Sequence, residues 1–154
     1  MTHIDAHSDL GIGYPGPGYV LNGVLPIRYD KRIDAEKYRR LNELDEANYL
    51  LFALAFRWIS SLENVRNPSS LPDIPKEILV PGKADSIQLS SFTAALSLGI
   101  NGKEPVIPFN VYEDYNGFKA DEKYDFMSVA ISPRYSPKEA DVLLPVFEEY
   151  MTLV

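Results

Sequence analysis

The sequence predicts an α/β protein with a mostly parallel sheet flanked by helices. Three observations carry this. Short β-prone runs at 1–5, 62–68, 104–111 and 124–132 are widely separated. Helical periodicity fills the longest gap, from residue 34 to about 62. Strands joined by helices or long crossovers pair in parallel. At 154 residues the length suits one domain, 1–154.

"MTHID" alternates polar and apolar residues and reads as a short first strand. Residues 10–30 hold five of the nine glycines and three prolines and read as loop. From Asp34, Tyr38, Leu41, Leu44, Leu51, Ala55, Ile59 and Leu62 recur at helical spacing, with a break expected near Asn42. Residues 49–56, "YLLFALAF", are apolar all round and predict a buried helix. "LENVRNP" (62–68) closes a short strand, and the prolines from 68 to 81 mark loop. "SIQLSSFTAALSLGI" fits strand and helix equally. "EPVIPFNV" (104–111) reads as a buried strand, "EDYNGF" as a turn, and "YDFMSVAIS" (124–132) as another buried strand. In "SPKE" (136–139), Ser136 can cap, Pro137 occupies the first helical position and Glu139 completes a capping box. Pro145 removes one hydrogen bond of that helix and predicts a kink.

Composition excludes several functions. The net charge of −7 gives no basic face for neutralising phosphates, so nucleic acid and anionic membrane are not expected partners. The absence of cysteine rules out disulfides, zinc–thiolate sites and thiol nucleophiles. The longest apolar run, 49–56, is far below the roughly 20 residues that span a bilayer. No signal peptide is visible. A cytoplasmic protein is the expectation.

The chemistry concentrates in "HIDAHSD", residues 3–9. Imidazole and carboxylate ligands suit manganese, zinc or iron. In a fully extended strand Asp5 and Asp9 lie about 13 Å apart, too far for one ion. A bend after His7, aided by Gly11 and Gly13, or a pair of ions would bring them into reach. The alternative is a solvated polar segment. "GIGYPG" (11–16) is formally a G-x-G-x-x-G, but Pro15 and Pro17 flank its last glycine and no periodic helix follows. If the sheet is parallel, three segments meet at the carboxyl ends of its strands: 5–9, 110–116 and 132–137. Asn110, Glu113 and Asp114 become candidates to complete a site, against an ordinary turn. Arg134 and Tyr135 become candidates to bind an anionic or planar group, against a solvated loop. Both histidines fall within the first seven residues, and no serine sits in a nucleophile elbow.

"HIDAHSDLG" resembles the D-A-H-x-D metal motif of the arginase, agmatinase and ureohydrolase superfamily. Together with "NELDEANYLLFALAFRWI" and "YDFMSVAISPRYSPKEADVLLPVFEEY", it resembles an uncharacterised arginase-like family of small proteins. The resemblance implies a two-ion site in which Asp5 bridges, His7 holds one ion and Asp9 the other. The superfamily's second aspartate pair would fall near Asn110 and Tyr112, which leaves Asp114, or Glu113, as the carboxylate implied at the 104–111 strand end. The implied metal is manganese, with zinc or iron as alternatives. The implied reaction is attack of metal-bound hydroxide on a C–N or similar bond of a small-molecule substrate. His3 is the residue available for the superfamily's upstream histidine ligand. The superfamily's N-terminal strands have no counterpart in this sequence, so the resemblance implies a truncated member, a smaller sheet or one completed by a second copy. "VAISPR" (129–134) resembles the superfamily's V-E-V-N-P-R, with Ala130 where arginases carry the glutamate that contacts guanidinium. Arginase activity itself is not expected. The rival expectation is a degenerate, non-catalytic member acting as a binding or oligomerisation module.

Overall fold

Four strands form one mixed sheet in the computed structural model, which describes residues 1–11, 15–91, 102–120, 124–130 and 137–152. They are β1 (Thr2–Ile4), β2 (Leu62–Val65), β3 (Ser86–Ile87) and β4 (Ile107–Tyr112), in the order β1-β2-β4-β3. β1, β2 and β4 run parallel, and β3 is antiparallel to β4. The protein is α/β, and its three parallel strands are those expected near 1–5, 62–68 and 104–111. The chain divides into two compact units, Met1–Lys119 and Ala120–Val154.

The register sets what each face carries. His3 pairs with Asn64 and Asn64 with Val111, so these three share a face. Leu62 and Phe109 lie on that face two residues earlier, and both are buried. The opposite face carries Ile4, Pro108 and Asn110, all exposed.

The first unit's core gathers around α4 (Tyr49–Ala55). Its Leu50, Leu51, Phe52, Leu54 and Ala55 are all buried, as an all-apolar helix requires. The rings of Tyr38, Phe52 and Phe56 pack together, with centroids 5.0 to 6.0 Å apart. Each such side chain withdrawn from water contributes about 1.5–3 kcal/mol.

Tyr38 comes from α3 (Ala35–Arg40), which Asp34 caps by accepting a hydrogen bond from Lys37 N at 2.9 Å. The expected break is there: Asn42 takes φ +54°, a left-handed conformation that asparagine tolerates. The periodic residues at the two ends of the run do not stay on the helix face. Leu41 is exposed and Leu62 has passed into β2.

Residues 10–30 correct the loop expectation. They contain α1 (Pro17–Tyr19), a π-helical turn over Val20–Val24 and α2 (Tyr29–Arg32). Leu25 N donates to Val20 O at 3.0 Å, closing the wide turn. Val20, Leu21, Val24 and Leu25 form an apolar face that is buried. Burial of that face outweighs the glycine and proline content, and Pro17 sits at a helix start, where its missing N–H costs nothing.

The second unit brings two further corrections. The described part of the 124–132 run, residues 124–130, is exposed and not a strand. A buried strand needs ladder partners, and no described strand pairs with it. After Pro137 comes a 3₁₀ turn over Lys138–Leu143, then α5 (Leu144–Tyr150). Pro145 lies in the first turn of α5, so it starts a helix rather than kinking one. Ser136 and residues 92–100 lie outside the described residues. No described helix is long and apolar enough to cross a membrane.

Candidate metal centre

The parallel strands place the segments after β1 and β4 at the same end of the sheet. The chain bends immediately after β1. Asp5 N still donates to Val65 O, but the Asp5 carboxylate turns back to accept from His7 N at 2.8 Å. Asp9 then adopts φ +52° and Gly11 φ +102°. The turn over Asp5–His7 together with the left-handed Asp9 removes the separation an extended strand would impose, and Asp9 Oδ2 meets His3 Nε2 at 3.1 Å.

The returned loop is held on both sides. Leu50 N donates to Asp9 O and Gly11 N to Ala47 O, which ties it to the start of α4. On the other side Ser8 N donates to Asp73 Oδ2 at 2.7 Å, and Ser8 Oγ to Asp73 O at 3.1 Å. Asp73 in turn pairs with Arg66, whose Nη2 donates to the carbonyls of Ala6 and Leu71. Arg66 and Asp73 are both nearly inaccessible in their side chains, so the loop rests on a buried ion pair.

His3, Asp5 and Asp9 each offer one ligand atom, and these atoms lie within 4.8 Å of one another. Ligands about 2.1 Å from one tetrahedral ion stand about 3.4 Å apart, so the widest pair of this set would have to close by about an ångström. One nitrogen and two carboxylate oxygens fit manganese, zinc or iron. His3 and Asp9 are buried and Asp5 is exposed, so the cluster is accessible from one side.

The remaining candidates sit elsewhere. The His7 ring is exposed, with Nδ1 3.5 Å from Asp5 Oδ1, and it is outside the three-residue cluster. Asp114 lies beyond β4, two strands and therefore about 10 Å across the sheet from β1. It caps the 3₁₀ turn Tyr115–Gly117, accepting from Asn116 N and Nδ2, both at 2.8 Å. Glu113 is exposed. Asn110 borders a shallow groove of about 330 Å³ with Ala84, Asp85, Phe109, Val111 and Tyr112. Arg134 and Tyr135 lie outside the described residues.

Two neighbours of the cluster carry no sequence signal. Asn64 presents its Nδ2 to His3 Nδ1 at 3.1 Å. Tyr49 meets the His3 ring edge-on at 6.1 Å. Desolvation, then the charges of Asp9 and Asp5, push its phenol up to about 12. The Tyr49 phenol therefore stays neutral throughout the physiological range. Only the strand register, set by residues sixty positions apart, reveals Asn64.

Comparison with protein-family models, with curated proteins and with solved structures finds no match for this chain.

Proposed function

We propose that this protein is an arginase-like, metal-dependent hydrolase whose cation, manganese foremost, is held by His3, Asp5 and Asp9. The convergence of these three ligand atoms is the observation that carries the reading. A divalent cation bound there would supply Lewis acidity and lower the pKa of a water for attack on a C–N or similar bond. The chain's own residues have distinct tasks. His3 offers the nitrogen, and β1 fixes its position. Asp5 offers an oxygen on the accessible side. Asp9 offers a second oxygen from the buried side, where the peptide N–H of Leu50 holds its backbone.

The substrate class follows the resemblance only as far as a small molecule. Ala130 at the position of the arginase glutamate argues against arginine itself. Asp114 stays bonded to Asn116 in its turn, which favours one ion over two.

A second reading has its own support. β1 is an edge strand among the described strands, and its Ile4 is 68% exposed. An open edge invites pairing with another chain. The His3–Asp9 bond would then serve only to close the loop, in a non-catalytic module that pairs with a second copy.

Elemental analysis separates the two readings. The protein is purified without chelator or histidine tag, beside Asp9→Asn. Asparagine tolerates the left-handed conformation at residue 9, so that variant should fold. About one manganese, zinc or iron ion per chain, lost in the variant, is the expected result. No ion above background after manganese is added, together with a dimeric mass in solution, would overturn the hydrolase in favour of the module.

A further inference from the structure

The partner of His3 is oriented against ligation. Asn64 Nδ2 is a donor, so the His3 Nδ1 it faces must be an unprotonated acceptor. The single proton of the neutral ring then sits on Nε2 and is donated to Asp9 Oδ2. In that tautomer the nitrogen facing the carboxylates has no lone pair to give to a cation. A metal-bound histidine has the opposite arrangement: its other ring N–H is donated to an acceptor that fixes the ring.

The same amide carries the acceptor that ligation requires. Asn64 is fully buried, and its Oδ1 has no hydrogen-bond partner among the described residues. Buried polar atoms are rarely left in this state. A half-turn about the Cβ–Cγ bond exchanges Oδ1 and Nδ2. It leaves one amide atom without a partner in either position.

Resting on the metal-site reading above, we propose that Asn64 is a two-position switch that sets the His3 tautomer for metal binding. With Nδ2 toward the ring, His3 is locked to Asp9 and the site is closed to a cation. With Oδ1 toward the ring, Nδ1–H is held by Asn64 and the Nε2 lone pair faces the space shared with Asp5 and Asp9. The ring gives up the proton on Nε2 and carries one on Nδ1, so it stays neutral and the protein's proton count on His3 does not change. Asn64 is a positioning residue, acting on the cation through His3.

The test reads tautomer and affinity, not turnover. Long-range proton–nitrogen NMR of ¹⁵N-histidine-labelled protein assigns the protonated nitrogen of His3 without metal and with Zn²⁺, which is diamagnetic. Titration calorimetry with Mn²⁺ and Zn²⁺ compares the native protein with Asn64→Asp, which can only accept, and Asn64→Leu, which can do neither. The proton is expected on Nε2 without metal and on Nδ1 with it. Asn64→Asp should bind at least as tightly as the native protein, and Asn64→Leu about 10- to 100-fold more weakly. If the native protein binds metal but its His3 tautomer does not change, the switch is wrong and the metal site stands. Native-like affinity in a folded Asn64→Leu has the same meaning. If the native protein binds neither ion, the metal site falls and the switch with it.

Discussion

Arg32 Nη2 donates to both oxygens of Glu104, at 2.9 and 3.0 Å, and its side chain is wholly buried. Arg57 grips the same carboxylate through Nε at 2.9 Å, and Tyr29 lies against both guanidinium groups. One carboxylate is therefore shared by two cations, and it joins the 102–106 stretch to α2 and to the turn after α4. The carboxylate raises the pKa of Arg57, chiefly by hydrogen bonding. Glu104→Ala would leave Arg32 as an uncompensated buried charge, a loss of about 3–5 kcal/mol. Urea unfolding measures it, and a change below about 1 kcal/mol would show that the arginines find other partners.

Gly11 is the hinge of the candidate metal loop. At φ +102° it lies outside the left-handed well that asparagine can use. A Cβ there would stand 3.1 Å from Leu51 Cδ2 and 3.3 Å from the backbone nitrogen of Pro17. Gly11→Ala is expected to lose about 1–3 kcal/mol in thermal unfolding. Gly18→Ala, whose Cβ meets nothing within 4 Å, is the contrasting control.

Arg66 supports the other side of the loop. Arg66→Met keeps the bulk but strips the buried Asp73 of its cation and the carbonyls of Ala6 and Leu71 of their donors. The expected loss is about 3–5 kcal/mol. In hydrogen exchange, the amide of Ser8, which donates to Asp73, should lose protection before that of Leu54. Equal protection of both in the variant would mean that the ion pair does not hold the loop.

Tyr49 makes a prediction at high pH. Its folded pKa, about 12, is above the ordinary 10, so the folded state holds this proton more tightly than the unfolded state. Its contribution to stability is complete below pH 10 and disappears as pH rises through 12. Phenolate absorbance should show one late-titrating tyrosine that Tyr49→Phe removes. Loss of an ordinary tyrosine near pH 10 instead would place the Tyr49 hydroxyl in water.

Much of this architecture can be read locally. Strand runs at 1–5, 62–68 and 104–111, the buried helix at 49–56 and the break at Asn42 depend on neighbouring residues, and the structure has them all. The ligand types are local too: Asp5 and Asp9 stand in a short motif, and Gly11 announces the bend. The misjudged segments are those where context outweighs composition. The 17–25 stretch became helical because Val20, Leu21, Val24 and Leu25 could be buried together. The apolar 124–130 stretch is exposed because β-propensity forms no strand without a partner.

Residue by residue, then, the sequence alone determined which side chains can bind a cation and where the chain must turn. Tertiary structure decided which of them meet. His3 rather than His7 joins Asp5 and Asp9, because strand alternation and a left-handed Asp9 act together. Asn64 reaches His3, and Glu104 reaches Arg32, only through pairings 61 and 72 residues apart in the chain. Such contacts leave no periodic trace, because they depend on strand register and helix packing, which the whole core sets at once.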